Sequence, residues 1–180
     1  MYRVHEGKIY GVLNDFDLSY LMTDQHPDPD KASSEQRTGT LPFMAIDLLR
    51  EKPTVHGYRH DLESFMWVIL FLIGQYQDGK SLGRSGPYYE WLLLDRATLL
   101  SKKIDIRDHV EAPQAQPAFQ PLLRWINKMR RMFWKAHVAV TDNIEDPDPE
   151  FDVKSSGGWI TFEKFQEVLD IDVSCDHVDS

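Results

Sequence analysis

A single cysteine, Cys175, leaves this chain of 180 residues without an internal disulfide and without a thiol set for zinc. It lies in a polar tail and reads as a bystander thiol. Long hydrophobic runs are missing too. The longest, Phe65 to Ile73 (FMWVILFLI), falls well short of the about 20 residues a bilayer requires. Met1 to Lys8 is polar and of mixed charge, unlike a secretion leader, so an intracellular protein, cytoplasmic or nuclear, is expected, with no membrane partner. Basic charge is in short supply: 20 Lys and Arg against 29 Asp and Glu, a net charge of -9. That sign repels phosphate backbones and disfavours nucleic acid as a partner, although local basic patches could still take anions. There are no internal repeats. The acids at 28, 30, 142, 146, 148 and 152 lack the EF-hand spacing and its central glycine, and prolines interrupt both runs. They read as solvated loops. His56 and His60 are four apart but lack the glutamate of the zinc-protease pattern, so they read as a loop or surface pair.

What is present is enough for a core. Hydrophobic residues make up 42% of the chain, with 5 Trp and 9 Phe, and a chain of this size buries roughly 70% of its unfolded surface. Tyr2 to Val4 and Ile9 to Leu13 flank His5-Glu6-Gly7 and predict a hairpin, with Gly7 free to take positive φ. Thr23 to Thr40 is polar, aperiodic and rich in turn residues, which predicts a long loop of the functional or disordered kind. Asp61 is placed to cap a helix that stops near Gly74. Its stretch Phe65 to Ile73 is apolar all round, which predicts a central pillar buried on every side.

A glycine-rich loop (79 to 86) and a second helix near Tyr88 to Lys103 follow, then a break at Gln114 to Pro117. A third helix is expected at roughly Pro121 to Val140, where Phe119, Leu122, Leu123, Ile126, Met129 and Phe133 recur every three or four residues. Arg124, Lys128, Arg131 and Lys135 fall between them as a solvated face. The acidic run 142 to 152 is a loop, and Thr161 starts a short last helix with Phe162, Phe165 and Leu169 on one side. The fold expected is mainly α with one small N-terminal β-hairpin.

Three blocks carry possible chemistry. Asp15-Phe16-Asp17 follows a strand, where a carboxylate can hold a metal or simply end the strand in solvent. RTGTLPFMAID, Arg37 to Asp47, closes the long loop and is either a substrate-facing segment or a loop docking Phe43 and Met44 into the core. HGYRHDLESFMWVILFLI, His56 to Ile73, sets an acid at the front of the apolar helix, either as a plain cap or as an anchor for a neighbouring loop.

In this order the three blocks resemble the C-terminal lobe of the fungal-type protein kinase family. PYYEWLL with Lys102-Lys103, FQPLLRWINKMRRMF and ITFEKFQEVL are similar to later parts of that lobe. The resemblance implies a partial kinase domain over residues 1–172 and a polar tail over 173–180. It implies that Asp15 is the Mg²⁺-binding aspartate, with Asp17 in place of the usual glycine. Thr38 and Thr40 would lie in the activation segment, Thr40 near the substrate peptide. Asp47 would close that segment on an arginine, with Arg124, Arg130 and Arg131 as candidates. Asp61 would anchor the backbone of the catalytic loop. Ser33, Ser34 and Thr38 are available hydroxyls for phosphorylation.

A kinase also needs a His-Arg-Asp-type loop with its following Asn, a glycine-rich loop and a strand lysine, all upstream of the Asp-Phe-Gly position. By comparison with the family, the Asn would fall just before Met1, as in a chain cut inside its catalytic loop. Losing the general base alone costs ~10²–10⁴ in rate, and losing the nucleotide-binding lobe removes positioning as well. The expectation is therefore a domain that uses Mg²⁺ and ATP in its full-length form, binds neither tightly here, and has no catalytic residues of its own. The partner implied is the missing N-lobe, or another protein, on the apolar upper surface. A non-catalytic interaction module, and an unrelated helical domain with coincidental motifs, remain as alternatives.

Overall fold

The computed structural model describes residues 2–11, 40–51 and 56–170. The chain divides into two units, residues 1–33 and 34–180. In the first, β1 (Tyr2–His5) pairs antiparallel with β2 (Lys8–Gly11), with Val4 opposite Ile9 and His5 opposite Lys8. The turn has two residues, Glu6 and Gly7, rather than three, and both take positive φ (49° and 76°). Such a turn twists in the sense that right-twisted strands require.

The second unit is helical. After a 3-10 turn at Leu41–Phe43 come α1 (Ile46–Leu49), α2 (Tyr58–Gln75), α3 (Arg96–Arg107), α4 (Leu123–Glu145) and α5 (Phe162–Val168). The molecule is thus mainly α, as the sequence implies. Among the described residues no helix is long and apolar enough to cross a membrane. A second hairpin joins α2 to the next segment: β3 (Tyr76–Gln77) pairs with β4 (Lys80–Ser81) across Asp78-Gly79, again with positive φ at both turn residues. The sequence reading missed it, although Asp-Gly is the usual signal for this turn.

Helix α2 is the pillar expected, with corrections. It starts at Tyr58, not Asp61, and Gly57 is its cap. The Gly57 amide donates to Nδ1 of His60 at 2.9 Å, so the side chain three residues on holds the entry. Met66, Trp67, Leu70 and Ile73 are buried, but Phe65 is 48% and Leu72 46% exposed, so one stripe of the apolar run faces outward. The helix packs on α4 and on the 3-10 turn. At its far end Gln116 satisfies two final carbonyls: its amide donates to Ile73 O (2.8 Å) and its side chain to Gly74 O (2.7 Å).

The later helices also shift from their expected bounds. Tyr88 to Lys103 splits into a 3-10 helix at Tyr89–Leu92 and α3, which Asp95 caps by accepting from the amides of Ala97 and Thr98. Helix α4 runs to Glu145, beyond Val140, after a 3-10 helix at Pro117–Leu122. In α5, Thr161 accepts from the Lys164 amide and Phe165 is buried, but Phe162 is exposed.

Gly86 permits one close approach. A Cβ there would fall on the side-chain amide of Gln75, which donates to Gly83 O (3.0 Å) and accepts from the Tyr88 amide (3.1 Å). Relieving the clash means giving up both bonds. Gly86→Ala is expected to cost about 1–3 kcal/mol, read as a lower urea midpoint at unchanged m-value.

Candidate functional site

The segment 40–50 combines exposed polar groups with a deeply held backbone. Thr40 is extended and exposed, and its carbonyl accepts from the Phe43 amide at 2.8 Å. Pro42 at the head of the 3-10 turn presets φ where the missing N–H costs nothing. Phe43 packs edge-on against Phe71 of α2, with centroids 5.3 Å apart, and Met44, Ala45 and Ile46 are buried.

Two buried charged side chains hold this backbone from both sides. Oε1 of Glu63 accepts from the Ile46 amide (2.9 Å) and from the Trp67 indole N–H (3.0 Å). Nζ of Lys103, on α3, donates to the Met44 carbonyl at 2.6 Å. The same ammonium lies 4.9 Å from the Trp67 ring centroid and 5.9 Å from that of Trp91. Burial pushes the Glu63 carboxyl up and pulls the Lys103 ammonium down to about 7, while the field of each favours the charged form of the other. A buried polar couple of this kind costs desolvation and survives because its bonds are filled.

A more exposed ionic layer lies beside it. Asp47 pairs with Arg59 of α2 at 3.2 Å and with Arg50 at 3.4 Å. The same guanidinium nitrogen is tied further, since Arg59 Nη1 also donates to Ser156 Oγ at 3.1 Å. The arginines that close on Asp47 are therefore Arg59 and Arg50, not Arg124, Arg130 or Arg131. Arg130 is buried elsewhere and donates to the carbonyls of Ile106 and Glu111.

Asp61 does not cap α2. Its side chain is 70% exposed and bonds to His56 Nε2 at 2.9 Å, and that bond raises the His56 pKa. His60 stacks loosely on His56, with centroids 5.7 Å apart, but is itself buried, so the pair is only half a surface pair.

Asp15, Asp17 and Thr38 lie outside the described residues, as do Ser33 and Ser34. Thr40 and Asp47 come together on one docked segment, and Asp61 sits on the helix that receives it. Among the described residues no group of three His, Cys, Asp or Glu could hold a metal ion. Glu63, Lys103 and Arg59 were not singled out by sequence reasoning. A lone glutamate inside an apolar helix, four residues before a tryptophan, is a signal for the first of them.

The described domain is thus a helical one that clamps an exposed, hydroxyl-bearing segment onto its central helix. Residues 3–73 match the model of the fungal protein kinase family. This stretch spans the hairpin, Asp15-Phe16-Asp17, the docked segment and most of α2. No curated protein and no solved structure matches the chain.

Proposed function

We propose that the 180 residues form the helical lobe of a fungal-type Ser/Thr protein kinase domain. In a full-length domain the reaction is transfer of the ATP γ-phosphoryl group to a protein hydroxyl. The observation that carries this reading is the docking of segment 40–49 on α2, within the stretch that matches the family. Glu63 and Lys103 fix its backbone, Arg59 holds the Asp47 side chain, and Thr40 is left exposed. A floor held in this way suits the positioning of a substrate peptide, and positioning supplies much of phosphoryl-transfer catalysis.

Asp15 is the residue that would hold Mg²⁺, and the metal would neutralise charge on the phosphates. Asp61, exposed at the front of α2 and bonded to His56 through Oδ1, would receive the backbone of a catalytic loop through its other oxygen. The residues present include no His-Arg-Asp motif and no Gly-x-Gly-x-x-Gly motif. The polypeptide of these 180 residues is therefore expected to transfer no phosphate from Mg-ATP to a generic protein substrate. Radiolabel transfer above background that Asp15→Ala abolishes would overturn this expectation.

A second reading, a non-catalytic module that binds a protein, is favoured by exposed Leu92 and Leu93, which adjoin each other at the end of the 3-10 helix Tyr89–Leu92. Gel filtration separates the two. A monomer that captures a separately produced kinase N-lobe supports the kinase reading, and a monomer that ignores it supports the module.

A further inference from the structure

The basic residues of α4 do more than face solvent. Arg124, Lys128, Arg131 and Lys135 follow one another at steps of three and four, so they form one stripe along the helix. Lys164 of α5 faces this stripe, and Trp159 closes the space between them, a groove of ≈ 550 Å³. Five of the chain's 20 basic residues therefore meet in one place on a molecule of net charge -9.

Little within the protein offsets this charge. Lys128 pairs with Asp170 at 2.9 Å, and Glu167 also lines the groove. Lys164 donates to the Gly158 carbonyl at 2.6 Å. Arg124, Arg131 and Lys135 have no carboxylate partner among the described residues. The ammoniums of Lys135 and Lys164 each lie 4.9 Å from the Trp159 ring centroid. Two like charges on one ring repel each other, and the ring's negative faces only partly compensate. A carboxylate beside either ammonium would relieve the repulsion.

We propose that this groove docks an acidic peptide segment. From residue 124 to 135 the stripe extends about 16 Å at 1.5 Å per residue, which is longer than one phosphate and matches about five extended residues. An indole flanked by cations suits a peptide, which offers carboxylates and an apolar backbone edge together. A long nucleic acid fits less well. Helix α4 carries Asp142 and Glu145 near its end, Asp146 and Asp148 follow it, and these acids repel a polyanion that continues past the groove. The proposal lies outside the segment that matches the kinase family and does not depend on that reading.

The test is fluorescence anisotropy with the whole chain and a fluorescein-labelled decapeptide of alternating Asp and Glu. Saturable binding that weakens with added salt is expected. The double variant Arg131→Glu, Lys135→Glu alters exposed side chains only. It is expected to bind at least about tenfold more weakly, with an unchanged circular dichroism spectrum. A neutral Asn and Gln peptide of the same length is expected not to bind. Equal binding by the double variant, displacement by inorganic phosphate at the peptide's own concentration, or tighter binding of a single-stranded DNA of matching length would each overturn the proposal. So would an absence of saturation at about 1 mM protein.

Discussion

Glu63→Ala is expected to lower stability by about 2–5 kcal/mol, because two buried donors lose their acceptor. The carboxylate is the acceptor for the Ile46 amide and the Trp67 indole, and without it both donors are left buried and unpaired. Each orphan costs about 1–3 kcal/mol. The Lys103 ammonium would lose the charge that offsets its burial and keep only the Met44 carbonyl and the tryptophan faces. Urea denaturation followed by tryptophan fluorescence reads the change. A shift under about 0.5 kcal/mol would show that the couple is not what holds the segment.

The conservative variant tells charge from hydrogen bonding. Glu63→Gln keeps an oxygen in reach of the same donors, so its loss should be about half that of the alanine variant or less. Lys103→Met removes the ammonium and keeps most of the volume. If the two groups act as one unit, the double variant Glu63→Gln, Lys103→Met loses less than the singles added together. Amide exchange at Ile46 should rise in Glu63→Ala by more than global destabilisation accounts for, because the segment 44–46 loses its own anchor.

These residues mark the boundary of what sequence could say. The apolar run Phe65 to Ile73 made α2 legible, and Asp61 made its start misleading, because Asp is the usual cap. In the structure three earlier residues are already helical, since His60 accepts from the Gly57 amide and the Tyr58 hydroxyl reaches the Ile160 carbonyl at 2.7 Å. That second contact joins residues 102 apart, and no local pattern announces it. The same holds for Lys103, whose bond to Met44 spans 59 positions. The pairing of Asp47 with Arg59 follows from how α1, packed on α3, brings Asp47 to the head of α2, not from any motif. By contrast, Asp78-Gly79 carries a local turn signal, but its flanking strands of two residues are too short to show any alternation. The basic stripe of α4 was legible as a stripe. Its closure into a groove was not, because Trp159 arrives from a loop.

Acidification should destabilise the fold through His60, by about 3 kcal/mol between pH 7 and pH 4. The side chain is 1% exposed, Nδ1 is occupied by the Gly57 amide, and Nε2 has no hydrogen-bond partner among the described residues. Burial first, and then the Arg59 cation, pull its pKa from 6.5 down to about 4. The unfolded chain therefore binds a proton near pH 6.5, while the folded protein takes it up only near pH 4. Between these values the unfolded state holds more protons, so stability is whole above pH 6.5 and falls as pH drops through the interval. His109 and His137 are also lowered and act in the same direction. His56 and Glu63 are raised and act in the opposite one, so the whole-protein curve mixes signs. His60→Gln isolates the effect, because it keeps an acceptor for the Gly57 amide and cannot titrate. The stability of the unaltered protein relative to this variant should shrink by about 3 kcal/mol from pH 7 to pH 4 in urea titrations at each pH. Two parallel curves would mean that water reaches His60 and that the head of α2 is open to protons.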